Sequence, residues 1–141
     1  SLGYFVNGTT GYMVNREGEY PFDVTGTDIN GSQSVPLVVL TGPDSVSFGE
    51  IFSGVLQALG RAFVIGETTG GNVEILYSYD FSDRSQALIA HDTFRPLNDP
   101  LQNWEESGII PDLTVPSSWD MVTTLTDPAI QAALQFFAGR R

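Results

Sequence analysis

The chain has 141 residues, with 17 acidic side chains against six arginines, no lysine, one histidine and no cysteine. The formal net charge of -11 argues against nucleic acid and anionic membrane surfaces as partners, because phosphate binding requires clustered basic residues. Without cysteine the chain forms no disulfide and no thiolate metal site, and a hydrophobic content of 41% indicates one globular domain with a real core.

No apolar run has the length of a transmembrane helix, and no signal peptide is visible. The sequence opens with Ser-Leu-Gly-Tyr-Phe rather than with an initiator methionine. We therefore interpret it as part of a longer polypeptide.

The first 35 residues are rich in Gly, Thr and Asn and contain two short strand-like runs, residues 12–15 and 19–24. This pattern predicts a hairpin or an irregular excursion. Asp28-Ile29-Asn30-Gly31 has some features of a calcium loop, but the remaining ligands and the terminal glutamate are missing. It is interpreted as a solvated turn.

The middle of the chain predicts a βαβ unit. Residues 35–40 form a continuous apolar run, typical of a strand buried on both faces. Residues 50–59 carry apolar side chains at helical spacing, and Gly60 follows as a helix terminator. Residues 62–66 read as a second buried strand. Two strands joined through one helix predict parallel pairing with a right-handed crossover.

The remaining elements are shorter. Residues 73–79 and 86–94 read as strands joined by a polar turn, followed by a loop over residues 96–107. Gly108-Ile109-Ile110-Pro111-Asp112 introduces a last short strand. Asp127, with Pro128 after it, predicts the start of a final helix that runs to Phe137 and stops at Gly139.

Ser47 is the candidate nucleophile that the residues themselves suggest. It lies between the first apolar strand and the helix, where a hydroxyl is exposed and backbone N–H groups are free at the helix N-terminus. That position suits a nucleophile with half an oxyanion hole. Its general base would be His91, a carboxylate, or a residue outside this chain.

Six motifs in order and register give the chain a specific resemblance. They are Ser45-Val46-Ser47-Phe48-Gly49-Glu50, Gly60-Arg61-Ala62, Ile65-Gly66-Glu67, Thr68-Thr69-Gly70-Gly71, Thr93-Phe94-Arg95-Pro96 and Gly108-Ile109-Ile110-Pro111-Asp112. Residues 36–116 resemble the catalytic core of the C-terminal processing (tail-specific) serine peptidases, the S41-type family that includes the tricorn core protease. The resemblance implies an α/β fold with a ClpP/crotonase-like core built from βαβ units. Residues 1–141 would be the C-terminal part of one catalytic domain whose N-terminal part is missing.

By this resemblance the middle serine of the first motif, Ser47, is the nucleophile, and the N–H of Phe48 is an oxyanion donor. The family's second donor comes from an upstream Gly-rich motif that this sequence does not contain. We therefore expect the isolated chain to have little or no activity.

The resemblance also bears on the base. The processing peptidases use a lysine whose slot falls on Asn72, and asparagine cannot take a proton from serine at neutral pH. The tricorn-like branch resembles a Ser-His-Glu arrangement, with its histidine in an N-terminal segment. Glu105, three residues before Gly108, occupies the place of the glutamate that orients this histidine. Glu106 is the neighbouring candidate if the register slips by one.

Several alternatives remain open. Ser47 can be a helix N-cap, with Glu50 completing a capping box as a structural group. The chain order Ser47, Asp80, His91 matches an esterase triad of the α/β-hydrolase type, although the chain is short for that fold. Arg95 is either a substrate-carboxylate contact or a surface residue.

The resemblance implies a serine endopeptidase that acts on polypeptide substrates without metal or organic cofactor. Its further partner would be the N-terminal remainder of the domain or another copy, and its location extracytoplasmic (periplasmic or secreted). The alternative is a non-catalytic module of the same fold that binds a peptide or another ligand, since the lysine is absent.

Overall fold

The computed structural model describes residues 1–98, 102–116, 118, 120–122 and 126–140. After a single 3-10 turn at Leu2–Tyr4, the strands and helices follow in chain order. They are β1 (Gly8–Asn15), β2 (Gly18–Val24), β3 (Val38–Thr41), α1 (Phe48–Ala58), β4 (Phe63–Gly66), β5 (Ile75–Asp80), β6 (Gln86–Pro96), β7 (Leu113–Thr114) and α2 (Pro128–Ala138). Residues 99–101 of the predicted 96–107 loop lie outside the described residues.

These strands form two sheets. The first has four strands in the order β2-β1-β6-β5, with every neighbouring pair antiparallel. The predicted N-terminal hairpin is thereby confirmed as β1 and β2. The second sheet has three parallel strands in the order β3-β4-β7.

The parallel βαβ unit is confirmed by the pairing of β3 with β4, in which Val38 lies opposite Phe63 and Thr41 opposite Gly66. The expectation that the first of these strands is buried on both faces is wrong, since Leu40 is 43% exposed. The reason is topological: among the described strands, β3 lies at an edge of its sheet and pairs only with β4. The central strand β4 has the buried character that its sequence predicts.

One predicted strand boundary moves. The strand expected to begin at Val73 begins at Ile75, because the N–H groups of Val73 and Glu74 donate to the Glu105 carboxylate instead of to a strand. The predicted start of the last helix is confirmed. Asp127 caps α2 by accepting from the N–H groups of Ala129 (2.8 Å) and Ile130 (3.3 Å).

The core lies between α1 and the four-stranded sheet, and it includes the loop before β7. Trp104, from that loop, is 2% exposed and stacks on Phe94 of β6 with ring centroids 5.4 Å apart. The indole also lies against Gly54 of α1, where a Cβ atom would come within 2.7 Å of it and within 2.6 Å of Ile109. The close approach of Trp104 to the helix therefore fixes the loop that carries Glu105.

Candidate active site

Ser47 lies on the predicted strand-to-helix turn, as the N-cap residue of α1, and is exposed. Its φ of 57° and ψ of -130° are unusual for a residue with a side chain. Such a conformation costs about 1–3 kcal/mol and persists only where surrounding contacts enforce it. A strained serine between a strand and a helix is the geometry that presents a nucleophile hydroxyl outward.

The backbone N–H of Ser47 is held by two acceptors. It donates to the carbonyl oxygen of Asn72 at 2.7 Å and to Oε2 of Glu50 at 3.1 Å. The second contact is the glutamate half of the predicted capping box. These bonds join the turn to the loop that follows β4.

The next residue, Phe48, opens α1. No hydrogen bond among the described residues uses its backbone N–H, as expected at the first turn of a helix. The group is thus available as a donor next to Ser47. The Phe48 ring is 46% exposed and packs edge-on against Phe22, with centroids 6.3 Å apart.

Glu50 is fully buried and accepts from three donors of the loop besides Ser47. Oε1 accepts from the Thr69 hydroxyl (2.5 Å) and the Gly71 N–H (2.7 Å), and Oε2 from the Asn72 N–H (2.8 Å). The Thr69 hydroxyl in turn accepts from the N–H of Ile109 at 2.7 Å. Sequence reasoning assigned Glu50 only a capping role, since the Ser-x-x-Glu spacing carries no information about the loop.

Glu105 is half-buried, and its Oε2 accepts from the N–H groups of Val73 (2.7 Å) and Glu74 (3.1 Å). The peptide group between Asn72 and Val73 therefore contacts both candidates, through its carbonyl oxygen to Ser47 and through its N–H to Glu105. No described residue donates a hydrogen bond to the other carboxylate oxygen of Glu105, Oε1.

The other two residues of the predicted base region have different surroundings. Glu106 is exposed, has a φ of 68°, and contributes its backbone N–H to the carbonyl oxygen of Gly71 at 2.9 Å. Asn72 is exposed, and its backbone contacts both Ser47 and Glu50. Residue 72, the predicted position of the family's lysine, is therefore hydrogen-bonded to Ser47 through the backbone.

The esterase arrangement is not formed. Asp80 lies at the turn end of the β5–β6 hairpin, opposite Gln86, whose side-chain amide donates to it at 2.7 Å. His91 lies at the other end, at the register shift between the Ile75 and Leu76 pairings, and its Nδ1 is 2.9 Å from Oδ1 of Asp92. Triad geometry requires direct contact between the acid and the histidine, whereas Asp80 and His91 lie at opposite ends of the β5–β6 hairpin.

His91 instead belongs to a cluster on the antiparallel sheet. Its ring stacks on Tyr77 with centroids 4.0 Å apart, and Asn15 donates to Asp92 at 2.7 Å. The hydrogen bonds from Asn15 and then His91 hold the pKa of Asp92 below its ordinary value, although burial opposes the shift. The Asp92 charge raises the pKa of Tyr77.

Arg95 is engaged within the sheet. Its guanidinium forms a two-pronged ion pair with Glu19 and lies 5.3 Å from the centroid of the Tyr12 ring. These contacts favour the interpretation of Arg95 as a surface residue over its interpretation as a contact for a substrate carboxylate.

A cavity of about 470 Å³ adjoins the Ser47 turn. Its wall includes Pro43, Asp44 and Ser45 of the turn, together with the start of α2. It opens at the carboxyl ends of β3 and β4, where ligands bind in parallel α/β sheets.

In the described ranges, no three His, Asp or Glu side chains are grouped to hold a metal ion. No helix in those ranges is long and apolar enough to cross a bilayer.

The sequence model of peptidase family S41 matches residues 2–115. The chain belongs to this family. A carboxyl-terminal-processing protease of Picosynechococcus sp. is 33% identical over 128 residues, which are 87% of this chain and 30% of that protein. This chain thus spans about a third of the curated relative's length. Membership in S41 supports a peptidase function.

Solved structures show the same fold. The photosystem II D1 C-terminal processing protease superposes with a TM-score of 0.65 at 24% identity, over 82% of this chain and 29% of that one. The tricorn protease superposes with a TM-score of 0.62 at 22% identity, over 97% of this chain and 13% of that one.

Proposed function

We propose that this chain is the C-terminal part of a serine endopeptidase domain with a ClpP/crotonase-like core, in which Ser47 is the nucleophile. The observation that carries this proposal is the backbone at the turn. Ser47 is held in a strained conformation by two acceptors on its N–H, while the following N–H, on Phe48, has no partner among the described residues. A helix N-cap by itself does not require positive φ.

In the proposed reaction, Oγ of Ser47 attacks the carbonyl carbon of a peptide bond while a base takes the hydroxyl proton. The N–H of Phe48 donates to the oxygen that becomes negative. The proton then passes to the leaving amine, and the peptide C–N bond breaks to give an acyl-enzyme. Water hydrolyses the ester, which restores Ser47.

The base is proposed to be a histidine from outside these 141 residues, oriented by Glu105. The peptide group between Asn72 and Val73 supports this role, because it links the Glu105 carboxylate to the turn that carries Ser47. The other carboxylate oxygen of Glu105 accepts no hydrogen bond from a described residue and could accept one from the histidine. The cavity beside Pro43 and Ser45 offers space for a substrate side chain. The remainder of the domain, or another copy of the chain, would complete the site, and an extracytoplasmic location fits a processing peptidase.

The test is labelling with a fluorophosphonate probe, which reacts with activated serines. We compare three proteins: the complete gene product that contains this chain (the full polypeptide), its Ser47→Ala variant and the isolated 141-residue chain. We expect labelling of the full polypeptide, its loss in Ser47→Ala, and little labelling of the isolated chain, because one missing oxyanion donor costs about 100-fold or more in rate. Equal labelling of wild type and Ser47→Ala would overturn the assignment.

A non-catalytic binding module is the second candidate, favoured by Asn72 in the lysine slot and by the engagement of His91 with Asp92. Absence of labelling in a folded full polypeptide supports it. The upstream sequence discriminates as well, since a Gly-rich motif and a histidine are needed only by the enzyme.

A further inference from the structure

Glu50 has an environment that helix capping alone does not explain. Its side chain is fully buried and carries a carboxylate, and no described arginine or histidine forms an ion pair with it. Burying an unpaired carboxylate is costly unless hydrogen bonds stabilise the charge. Here four donors do so, two on each oxygen.

Three of the four donors lie outside the helix. A capping box needs only the N–H of Ser47, whereas Thr69, Gly71 and Asn72 belong to a loop about 20 residues further along the chain. The same Glu50 oxygen that accepts from Ser47 also accepts from Asn72, and the Asn72 carbonyl accepts from Ser47. Ser47, Glu50 and Asn72 therefore form a closed hydrogen-bonded ring around the nucleophile's amide.

The other oxygen extends this ring into the loop that carries Glu105. It accepts from the Thr69 hydroxyl, which itself accepts from the N–H of Ile109. Glu50 thus lies between the Ser47 turn and two loops. A strained backbone such as that of Ser47 needs this kind of over-determined support.

We propose that Glu50 is the positioning residue of the site: its buried carboxylate holds Ser47 in its strained conformation and sets the turn against the loop of Asn72. This inference rests on the proposed nucleophile. Glu50 touches no reacting atom, so its effect on reaction passes through the backbone of Ser47.

Glu50→Gln keeps the shape of the side chain but replaces one acceptor oxygen by a donor. The new amide can donate to the Thr69 hydroxyl but faces the N–H of Gly71, so the four-donor arrangement cannot be retained. Thr69→Val removes one donor and the acceptor for Ile109, whereas Thr69→Ser keeps both. Ser53→Ala is the matched control, because Ser53 is equally buried on α1 and bonds only to the carbonyl oxygens of Gly49 and Glu50.

Two measurements test the proposal. In the full polypeptide, observed by selective isotope labelling, we expect Glu50→Gln to shift the amide proton signals of Ser47, Gly71 and Asn72, and Ser53→Ala to leave them in place. In the full polypeptide, we expect Glu50→Gln and Thr69→Val to lower the limiting rate of fluorophosphonate labelling at least about tenfold with little change in half-saturation, and Thr69→Ser to restore it.

Unchanged amide signals in Glu50→Gln, or a limiting rate equal to that of Ser53→Ala, would overturn the positioning role. If the wild-type polypeptide is not labelled at all, the peptidase assignment fails, and the amide signals still decide whether Glu50 holds Ser47.

Discussion

Ser47 and Glu105 contact opposite sides of one peptide group, the link between Asn72 and Val73. The N–H of Ser47 donates to the carbonyl oxygen at 2.7 Å, and the carboxylate of Glu105 accepts from the N–H at 2.7 Å. The two residues are far apart in sequence, yet one planar and rigid unit relates them. A shift of this peptide therefore displaces both.

Replacing Glu105 by glutamine tests its proposed role in orienting a histidine. The amide can still accept from Val73, so the fold is retained, but the negative charge that stabilises an imidazolium is lost. We expect fluorophosphonate labelling of the full polypeptide to fall about 100-fold or more. Glu106→Gln is the matched control, because the Glu106 side chain is exposed; similar rates in the two variants would contradict the assignment.

Asn72→Lys tests the lysine slot. The backbone of residue 72 is hydrogen-bonded to that of Ser47, so the prediction is that the flexible stem of a lysine at this position brings its amine to the Ser47 hydroxyl. We expect the variant to label faster than wild type, with the gain rising between pH 7 and 9 as the amine loses its proton. Asn72→Met supplies a comparable apolar stem without the amine. Identical labelling of these two variants across that pH range would show that residue 72 is misassigned.

Gly54→Ala is expected to destabilise the protein. A methyl group at this position meets Ile109 at 2.6 Å and Trp104 at 2.7 Å, and such overpacking costs about 1–3 kcal/mol despite better helix propensity. Gly49→Ala is the control on the same helix, since a Cβ there has no neighbour within 4 Å. We expect denaturant unfolding to show a loss for Gly54→Ala and no loss for Gly49→Ala; equal stabilities would refute the close packing of Trp104.

The Asp92 cluster predicts a contribution to acid stability. Its folded-state pKa is lowered, first by Asn15 and then by His91, so the stabilisation is present above the ordinary pKa of aspartate, about 3.9. It is lost as pH falls through the lower folded-state value. Asn15→Ala should therefore reduce the unfolding midpoint at pH 7 more than at pH 3. An equal loss at both values would rule out this linkage.

Sequence periodicity predicts much of the fold because it reports on local geometry. The apolar spacing of residues 50–59 predicts α1, and the short apolar runs on either side predict parallel strands, as found. Burial was predicted less well, since Leu40 is exposed at the edge of its sheet. A run of apolar residues predicts a strand, but it does not show whether that strand lies at the edge or in the centre of its sheet.

The sequence by itself determined the order of the elements, the turn that bears Ser47 and, through its motifs, membership in the S41 family. Only the tertiary structure decided the partners of Glu50 and Glu105, which lie 21 and 32 residues from the N–H groups of Gly71 and Val73 that they bind. The physical reason is one of range. Propensities and caps act over a few neighbouring residues, whereas these contacts form only after packing brings distant loops together.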